Sequence, residues 1–325
     1  MSAVRAIRRT APDPDGLLTG IEIDDRDQPP PDGWVTVTLR CASVNHSDLA
    51  AIRGHGFDPA GPPRVLGSDG AGLDPDGNEV IVYPILAAAR YPDPMHDPGL
   101  RMLSQGVDGT WAERVQVPRA NLVPKPPELT WEQAACLGTA WLTAYRMLFG
   151  RARVAPGGTV LVQGAGGGVP TALIRLAVAA GLRVWVTSRD PHRGRRAVEH
   201  LGAHAAFPSG AVLPEPVDAA LDCVGQATLA HSLRSVRPGG QVVTAGAVTG
   251  ATVGIDLTDL FVRSISLHGS AMGTPAELFA LARLCATTGA VPVIDTVWPL
   301  TDARPGIARA LAGQQFGKIV LRCDR

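Results

Sequence analysis

A glycine-rich turn between an apolar strand and an apolar helix constrains this chain more than any other feature. Residues 159–163 read Thr-Val-Leu-Val-Gln, residues 164–168 read Gly-Ala-Gly-Gly-Gly, and an apolar helical run follows to Ala177. Glycines let the backbone turn sharply and approach a pyrophosphate closely, and the unpaired N–H groups of a helix N-terminus attract its negative charge. The turn therefore predicts a dinucleotide site.

The spacing of the glycines is incomplete, because Val169 stands where the G-x-G-x-x-G pattern has its third glycine. The sequence that follows nevertheless supports a dinucleotide site. A second strand, residues 183–187, follows the helix after Gly181 and completes a βαβ unit of about 30 residues. A glycine-rich turn that binds no ligand is the alternative interpretation.

The end of this second strand indicates which dinucleotide is bound. An NAD-binding protein usually places an acid there to hold the ribose hydroxyls, but this chain has Ser188. Arginines that can hold a 2′-phosphate follow: Arg189, Arg193, Arg195 and Arg196. This pattern favours NADPH. In the alternative, Asp190 holds the ribose and the arginines are a solvated helix face.

Composition and charge limit the class of protein. The 325 residues include 30 basic and 30 acidic side chains, so no basic field for nucleic acid or a membrane surface is expected. Charges in the first ten residues and the lack of a long apolar run argue against a signal peptide or a membrane span. The five cysteines form no C-x-x-C pair. We expect a cytoplasmic protein with a small-molecule substrate.

The pattern of the chain changes near Thr130. The first 120 residues contain short strands separated by Pro and Gly clusters, such as residues 34–39 and 79–83. Thr130 and Gln133 form a capping box that opens a helix toward Leu148. Strands and helices then alternate to residue 321, which predicts an α/β fold with a parallel, doubly wound sheet.

Five local motifs occur in the order and spacing of one family, and the resemblance covers essentially the whole chain. They are Ala42-Ser-Val-Asn-His-Ser-Asp48, Leu66-Gly-Ser-Asp-Gly-Ala-Gly72, Asp108-Gly-Thr-Trp-Ala-Glu113, Leu142-Thr-Ala-Tyr145 and Phe316-Gly-Lys-Ile-Val320. The chain resembles the medium-chain dehydrogenase/reductase superfamily. The resemblance implies a β-rich GroES-like catalytic domain over residues 1–124 and 271–325. It also implies a Rossmann-type dinucleotide domain over residues 125–270.

The chain departs from the alcohol dehydrogenases of this family at the catalytic metal. The positions that hold the three zinc ligands there hold Asn45, Ser68 and Thr139 here. An amide and two hydroxyls do not replace thiolate and imidazole as tight ligands, so no metal is expected. The chain is similar to the zinc-less branch, which contains quinone oxidoreductases and enone reductases.

The resemblance assigns roles to the cofactor side. It places the pyrophosphate on the backbone of Gly164, Gly166, Gly167, Gly168 and Val169. It places Thr143 beside the nicotinamide and lines the other edge of the nicotinamide with Ala245, Gly246, Ala247, His268, Gly269 and Ser270. It places Lys318 near the cofactor phosphates. Alternatively, Thr143 bonds to its own helix and Lys318 is a surface lysine.

The substrate side is less defined. Asn45 is a candidate donor to a substrate carbonyl, or merely closes a turn. Ser47 occupies the place of a relay hydroxyl, but Ala50 replaces the relay histidine. Candidate proton donors are His46, His55, Tyr83 and water.

These observations predict a zinc-independent reductase that transfers hydride from NADPH to a quinone or an α,β-unsaturated carbonyl. One alternative is an enoyl or tailoring reductase of a specialised biosynthetic pathway. Another is a non-catalytic NADPH-binding protein, because a fold does not fix a function. Zinc-less relatives commonly pair through the last strand of the cofactor domain, here about residues 264–268, which implies a homodimer.

Overall fold

The computed structural model describes residues 4–9, 18, 21–26, 31–54 and 64–323. The chain divides into two compact units. The β-rich unit comprises Met1–Ala140 and Gly273–Arg325, and the parallel-sheet unit comprises Trp141–Met272.

The β-rich unit contains a three-stranded sheet, a seven-stranded sheet and a short strand pair. The three-stranded sheet has the order β2-β1-β4, with β1 (Val4–Arg9), β2 (Ile21–Arg26) and β4 (Arg64–Val65). The strands of the seven-stranded sheet are β3 (Trp34–Ser43), β5 (Asp69–Leu73), β6 (Glu79–Val82), β9 (Arg114–Pro118), β10 (Leu122–Pro124), β17 (Ile294–Pro299) and β18 (Lys318–Arg322). Their order is β10-β6-β5-β3-β18-β17, and β9 also pairs with β3. The short pair is β7 (Ile85–Leu86) with β8 (Arg101–Met102).

The helices of this unit are α1 (His46–Ile52), α2 (Trp131–Ala134), α8 (Pro275–Thr288) and α9 (Arg304–Leu311). Apolar side chains fill the core, including Val37, Leu39 and Ile319 on strands and Trp111 in the loop before β9, all nearly fully buried. The register pairs Val320 with Ser43 and Ser43 with Asp69. Strands β18, β3 and β5 are therefore neighbours, although they come from distant parts of the sequence.

The second unit contains one six-stranded sheet. Its strands are β11 (Thr159–Gln163), β12 (Arg183–Ser188), β13 (Ala205–Pro208), β14 (Val217–Asp222), β15 (Val236–Thr244) and β16 (Ser266–Gly269). All pairs are parallel, in the order β13-β12-β11-β14-β15-β16. The helices are α3 (Leu142–Tyr145), α4 (Gly168–Ala179), α5 (Pro191–Leu201), α6 (Leu229–Ser235) and α7 (Leu257–Val262).

This arrangement confirms the predicted fold class. Every residue of β11 is buried, as expected for a central parallel strand covered on both faces. The strand order reverses between β11 and β14, and such a switch point is where doubly wound sheets bind ligands. No described helix is long and apolar enough to cross a membrane.

The structure differs from the sequence-based expectation in two places. The units divide after Ala140 and Met272 rather than after residues 124 and 270, because α2 packs against β3 and β5 of the β-rich unit. The Thr130 capping box forms as predicted. The helix behind it is interrupted, however, by π-helical turns at Leu137–Trp141 and Arg146–Ala152.

The turn before β5 gives a test of the packing. Gly67 has φ +98°, and an added Cβ would lie 2.3 Å from Trp111 Cδ1 and 2.6 Å from the Trp111 backbone nitrogen. Gly77 has φ +84° and open space around it. We expect Gly67→Ala to lower the free energy of unfolding by roughly 3 kcal/mol or more, and Gly77→Ala by about 1–2 kcal/mol from backbone strain alone. Denaturant titration measures both, and equal losses would contradict the described packing.

Candidate active site

The predicted pyrophosphate loop lies at the end of β11. Gly164 has φ +92°, a conformation that a side chain would strain, and the loop leads into α4 at Gly168. Gly167 is the N-cap residue of α4 and has no side chain that could cap the helix. The first-turn N–H groups of this twelve-residue helix are therefore available to an anionic ligand.

Two side chains further along the same sheet edge also fit a bound ligand. Because the strands are parallel, residues 245–247 after β15 and residues 268–270 at the end of β16 lie on the edge where β11 ends. His268 Nε2 and Ser270 Oγ are buried and have no hydrogen-bond partner among the described residues. A buried polar atom without a partner costs about 1–3 kcal/mol, which a ligand that bonds to it removes. These residues fit a nicotinamide dinucleotide.

The end of β12 carries the residues predicted to select the cofactor. Ser188 Oγ donates to the Asp190 carbonyl at 2.7 Å, and Arg189 is exposed. Asp190 is the N-cap of α5, where its Oδ1 accepts from the His192 N–H at 2.8 Å. Its Oδ2 lies 3.8 Å from Arg193 Nε. The Asp190 carboxylate is thus engaged with its own helix.

Thr143 lies in α3, within the parallel-sheet unit. It is buried, and its hydroxyl donates to Met272 Sδ at 3.8 Å. The neighbouring Arg146 donates to the Ala271 carbonyl at 3.5 Å, so α3 holds the segment that ends this unit.

A second set of polar side chains meets inside the β-rich unit. We call it the Lys318 cluster and define it as Ser43, Asn45, Ser47, Asp48, Ser68, Asp69, Thr139 and Lys318. Its members come from β3, α1, the turn before β5, the first residue of β5, the turn after α2 and the first residue of β18.

Lys318 is the cation of this cluster, and its side chain is only 2% exposed. Its ammonium donates to the Val44 carbonyl at 2.9 Å, to Asn45 Oδ1, and to Asp69 Oδ2 at 3.4 Å. All three donors are used inside the unit. A buried ammonium with these three partners has no further proton to give to a cofactor phosphate.

Asn45 connects the ammonium to the hydroxyls. Its Oδ1 accepts from Lys318, so its Nδ2 faces Ser68 Oγ, to which it donates at 3.2 Å. Thr139 Oγ1 donates to the same Ser68 oxygen at 3.4 Å, and Ser47 Oγ lies 3.3 Å from it. The three residues at the family's metal positions are therefore bonded to one another. Ser47 is the half-buried member through which this network reaches the surface of the unit.

Two buried acids complete the cluster. Asp69 pairs with Lys318 and accepts from Ser43 Oγ at 3.0 Å. Asp48 Oδ2 accepts from the Asn45 backbone N–H at 2.9 Å and from Ser68 Oγ at 3.4 Å. Burial raises the pKa of Asp48 to about 7, and the charge of Asp69 adds to this rise, while the Asn45 N–H and the Lys318 ammonium lower the pKa.

These atoms do not form a metal site of the family's kind. The donors at the three family positions are an amide and two hydroxyls, and Lys318 takes the amide oxygen. Among the described residues, no group of three or more His, Cys, Asp or Glu is placed to hold a metal ion. A buried ammonium at this point would also repel a dication.

The candidate proton donors have different positions. Tyr83 is buried and its hydroxyl donates to the Gly273 carbonyl at 2.6 Å, so its proton is committed to that contact. His46 is exposed at the start of α1. His55 lies outside the described residues.

The contacts of Lys318 and Asp48 could not be found from the sequence. A local signal existed, because Lys318 is one of two lysines in the chain and begins an apolar strand that a central sheet position would bury. Its partners could not be predicted without the register of β18 on β3.

The comparisons with known proteins agree with this fold. Residues 31–127 match the alcohol dehydrogenase GroES-like domain, and residues 168–287 match the zinc-binding dehydrogenase domain. A solved structure of an NAD-dependent alcohol dehydrogenase is 31% identical, with a TM-score of 0.88, and covers 98% of this chain and 100% of its own.

Two curated relatives are reductases by name. Crotonyl-CoA carboxylase/reductase of Cereibacter sphaeroides is 27% identical over 82% of this chain and 75% of its own length. Quinone oxidoreductase of Mus musculus is 29% identical over 66% of this chain and 70% of its own length.

The matched domains and the doubly wound parallel sheet define an oxidoreductase. It has a GroES-like unit and a second unit of the kind that binds a nicotinamide dinucleotide. The chain belongs to the medium-chain dehydrogenase/reductase superfamily.

The buried Asp48 gives a prediction about stability and pH. Its folded pKa of about 7 lies above the value near 4 of an unfolded aspartate, so between these values only the folded state keeps the proton. The free energy of unfolding should therefore fall as pH rises from about 4.5 to 7, by up to about 1.4 kcal/mol per unit from this group. Above pH 7 both states are ionised and this contribution to the slope ends.

Denaturant titrations of the wild type and Asp48→Asn across this range measure the effect. The variant keeps a carbonyl for the Asn45 N–H and should have a flatter profile. The acids with lowered pKa, such as Asp97 and Asp218, act at lower pH and do not mask the difference. Identical slopes in the two proteins would contradict the position of Asp48.

Proposed function

We propose that this protein is a zinc-independent reductase that transfers hydride from NADPH to a quinone or an α,β-unsaturated carbonyl. The observation that carries the proposal is the Lys318 cluster, in which an amide and two hydroxyls stand at the positions of the thiolate and imidazole donors of a catalytic zinc, beside a buried ammonium. Without such a metal, an alkoxide is poorly stabilised, whereas an enolate or a quinol anion needs only hydrogen-bond donors.

The cluster supplies such donors at its less buried edge. Asn45 Nδ2 has a second proton beyond the one it gives to Ser68, and Lys318 on Oδ1 polarises the amide and makes Nδ2 a stronger donor. Ser47 and Thr139 add hydroxyls around the same point. We assign Asn45 and Ser47 to the substrate oxygen. When bound, the cofactor supplies the hydride, and Thr143 packs beside the nicotinamide.

The relatives support this class of substrate. A quinone oxidoreductase and a crotonyl-CoA carboxylase/reductase are similar in sequence to this chain, and their names describe acceptors with electron-poor double bonds. The second name favours an enoyl thioester as one substrate to test. An alcohol dehydrogenase is also a relative, so an aldehyde belongs in the same comparison.

Turnover by protein treated with a chelator tests the proposal. NADPH oxidation is followed with a quinone, an alkyl enone, an aryl enone, an enoyl thioester and an aldehyde. We expect turnover with at least one quinone, enone or enoyl thioester and little with the aldehyde. Activity on the aldehyde alone, lost to chelation and restored by zinc, would contradict the proposal. NADPH binding with no turnover on any acceptor would favour a non-catalytic role.

The arginines after β12 support NADPH as the cofactor. Asp190 caps α5, and its Oδ1 is taken by the His192 N–H, which leaves only Oδ2 for a ribose hydroxyl. The guanidinium of Arg189 is exposed next to Ser188, and Arg193 lies one turn further along α5. The alcohol dehydrogenase relative is NAD-dependent by name, so the choice of cofactor is a sharp test.

We expect Arg189→Ala to weaken NADPH binding about tenfold to hundredfold, because a charge-assisted bond to phosphate contributes about 1.5–3 kcal/mol. NADH binding should change little, since NADH lacks the 2′-phosphate. Arg183→Ala, at the opposite end of the same strand, is the matched control and should leave both affinities unchanged. Fluorescence titration measures them. An equal loss for both cofactors would mean that Arg189 does not contact the 2′-phosphate.

We also propose a homodimer formed through the edge strand β16. Leu267 on this strand is partly exposed, and the preceding helix α7 exposes Phe261 and Val262 to 68% and 69%. An apolar patch beside an unpaired strand edge favours pairing with a second copy. A dimeric mass by light scattering is expected, and a monomeric mass at micromolar concentration would refute the dimer.

A further inference from the structure

A second buried polar network lies at the carboxyl edge of the parallel sheet. We call it the Gln163 network and define it as Gln163, Thr187, Asp222, His231 and Ser232. The first three lie at or next to the ends of β11, β12 and β14, and the last two lie on α6. All five side chains are buried. The network therefore joins three strand ends to one helix.

The hydrogen bonds fix the orientation of the Gln163 amide. A carbonyl only accepts, so His231 Nε2, which lies 2.8 Å from the Ala211 carbonyl, carries a proton. In a neutral ring the other nitrogen is then an acceptor, and Gln163 Nε2 donates to His231 Nδ1 at 2.9 Å. The second Nε2 proton goes to Ser232 Oγ at 3.0 Å, and Oε1 accepts from Thr187 Oγ1 at 2.5 Å. Both ends of the amide are therefore engaged.

The network continues to the loop after β14. Ser232 Oγ donates to Asp222 Oδ2 at 2.8 Å. Asp222 Oδ1 accepts from the backbone N–H groups of Val224 at 2.9 Å and Gly225 at 3.0 Å. A buried polar network whose members are all bonded holds its parts in one arrangement. The loop after β14 is thus held by the same series of bonds that begins at Gln163.

Two of these strand ends lead directly into the segments proposed for the cofactor. Gln163 is followed by Gly164 of the glycine turn, and Thr187 is followed by Ser188 and Arg189. The Gly164 N–H donates to the Thr187 carbonyl at 3.1 Å, and the bond from Thr187 Oγ1 to Gln163 adds a second link. The pyrophosphate and the 2′-phosphate belong to one molecule of NADPH, so the spacing of the two segments decides whether both phosphates are bound without a cost of rearrangement.

We propose that the bond between Thr187 and Gln163 determines cofactor specificity, because it holds the Arg189 segment at the distance from the glycine turn that NADPH requires. This proposal rests on the proposed function, in which Arg189 binds the 2′-phosphate. Gln163 and Thr187 are positioning residues that act through the segments after them. NADH has no 2′-phosphate, so its binding depends less on this spacing.

Substitutions at Thr187 test the proposal. Thr187→Val keeps the branched shape of the side chain but removes the hydroxyl, whereas Thr187→Ser keeps the hydroxyl. We expect the ratio of NADPH affinity to NADH affinity to fall about tenfold in Thr187→Val, because a charge-assisted bond to phosphate is lost when Arg189 is displaced. Thr187→Ser should keep a ratio near that of the wild type. Fluorescence titration measures both affinities.

Thr159→Val is the matched control. Thr159 is a buried threonine at the other end of β11, and its hydroxyl accepts from Arg183 Nε of β12 at 2.8 Å. Its substitution removes a side-chain bond between the same two strands and should leave the ratio of affinities unchanged. An equal loss of both affinities in Thr187→Val, or an unchanged ratio, would overturn the proposal, since a purely structural role affects both cofactors alike.

The network itself is tested without cofactor. NMR of ¹⁵N-labelled histidine distinguishes a ring nitrogen that carries a proton from one that does not. We expect His231 at pH 8 to have a proton on Nε2 and none on Nδ1, and the absence of these signals in His231→Gln assigns them. A proton on Nδ1 would overturn the orientation of the Gln163 amide and the proposal with it.

The two measurements distinguish the failure of this proposal from the failure of the proposed function. If the wild type binds NADPH no more tightly than NADH, the proposed cofactor fails and the specificity role falls with it, while the histidine signals still decide whether the network is present. If the wild type prefers NADPH and Thr187→Val keeps that preference, the proposed cofactor stands and the positioning role is wrong.

Discussion

The buried ammonium of Lys318 is the constraint on which the rest of the β-rich site depends. A cation in a protein interior needs a counter-ion and hydrogen-bond acceptors, and removing a partner from such a pair typically costs about 3–5 kcal/mol. Here Asp69, the Asn45 amide oxygen and the Val44 carbonyl meet this need. The orientation of the Asn45 amide follows, since its oxygen is taken by the ammonium and its nitrogen must face the hydroxyls.

The cofactor side is organised by a different principle, the direction of the parallel strands. Because all six strands run the same way, their carboxyl ends bring separate loops to one edge. The glycine turn follows the central β11. Ser188 ends β12 and Arg189 follows it on one side, and His268 and Ser270 lie at the end of β16 on the other. Backbone N–H groups and short side chains occupy this edge, and Val169 stands where the G-x-G-x-x-G pattern has its third glycine.

The difference between these two principles explains how much could be predicted from the sequence. The dinucleotide loop is contiguous, and residues 159–177 contain strand, turn and helix together. The fold class followed from the alternation of elements, and α8 spans Pro275–Thr288 as predicted. The Lys318 cluster, in contrast, is assembled from distant segments by the register that pairs Val320 with Ser43 and Ser43 with Asp69. A sequence pattern does not contain that register, so the partners of Lys318 could not be predicted from the sequence.

The most direct test of the account is nitrogen NMR of the lysine side chains. The chain has only two lysines, Lys125 and Lys318, so ¹⁵N-lysine labelling gives two side-chain signals, and a Lys125→Arg variant assigns them. We expect Lys318 to give an ammonium signal at pH 7 whose protons exchange slowly with water, because all three are bonded inside the unit. A neutral amine, or an ammonium that exchanges as fast as a surface lysine, would contradict the central role of this cation.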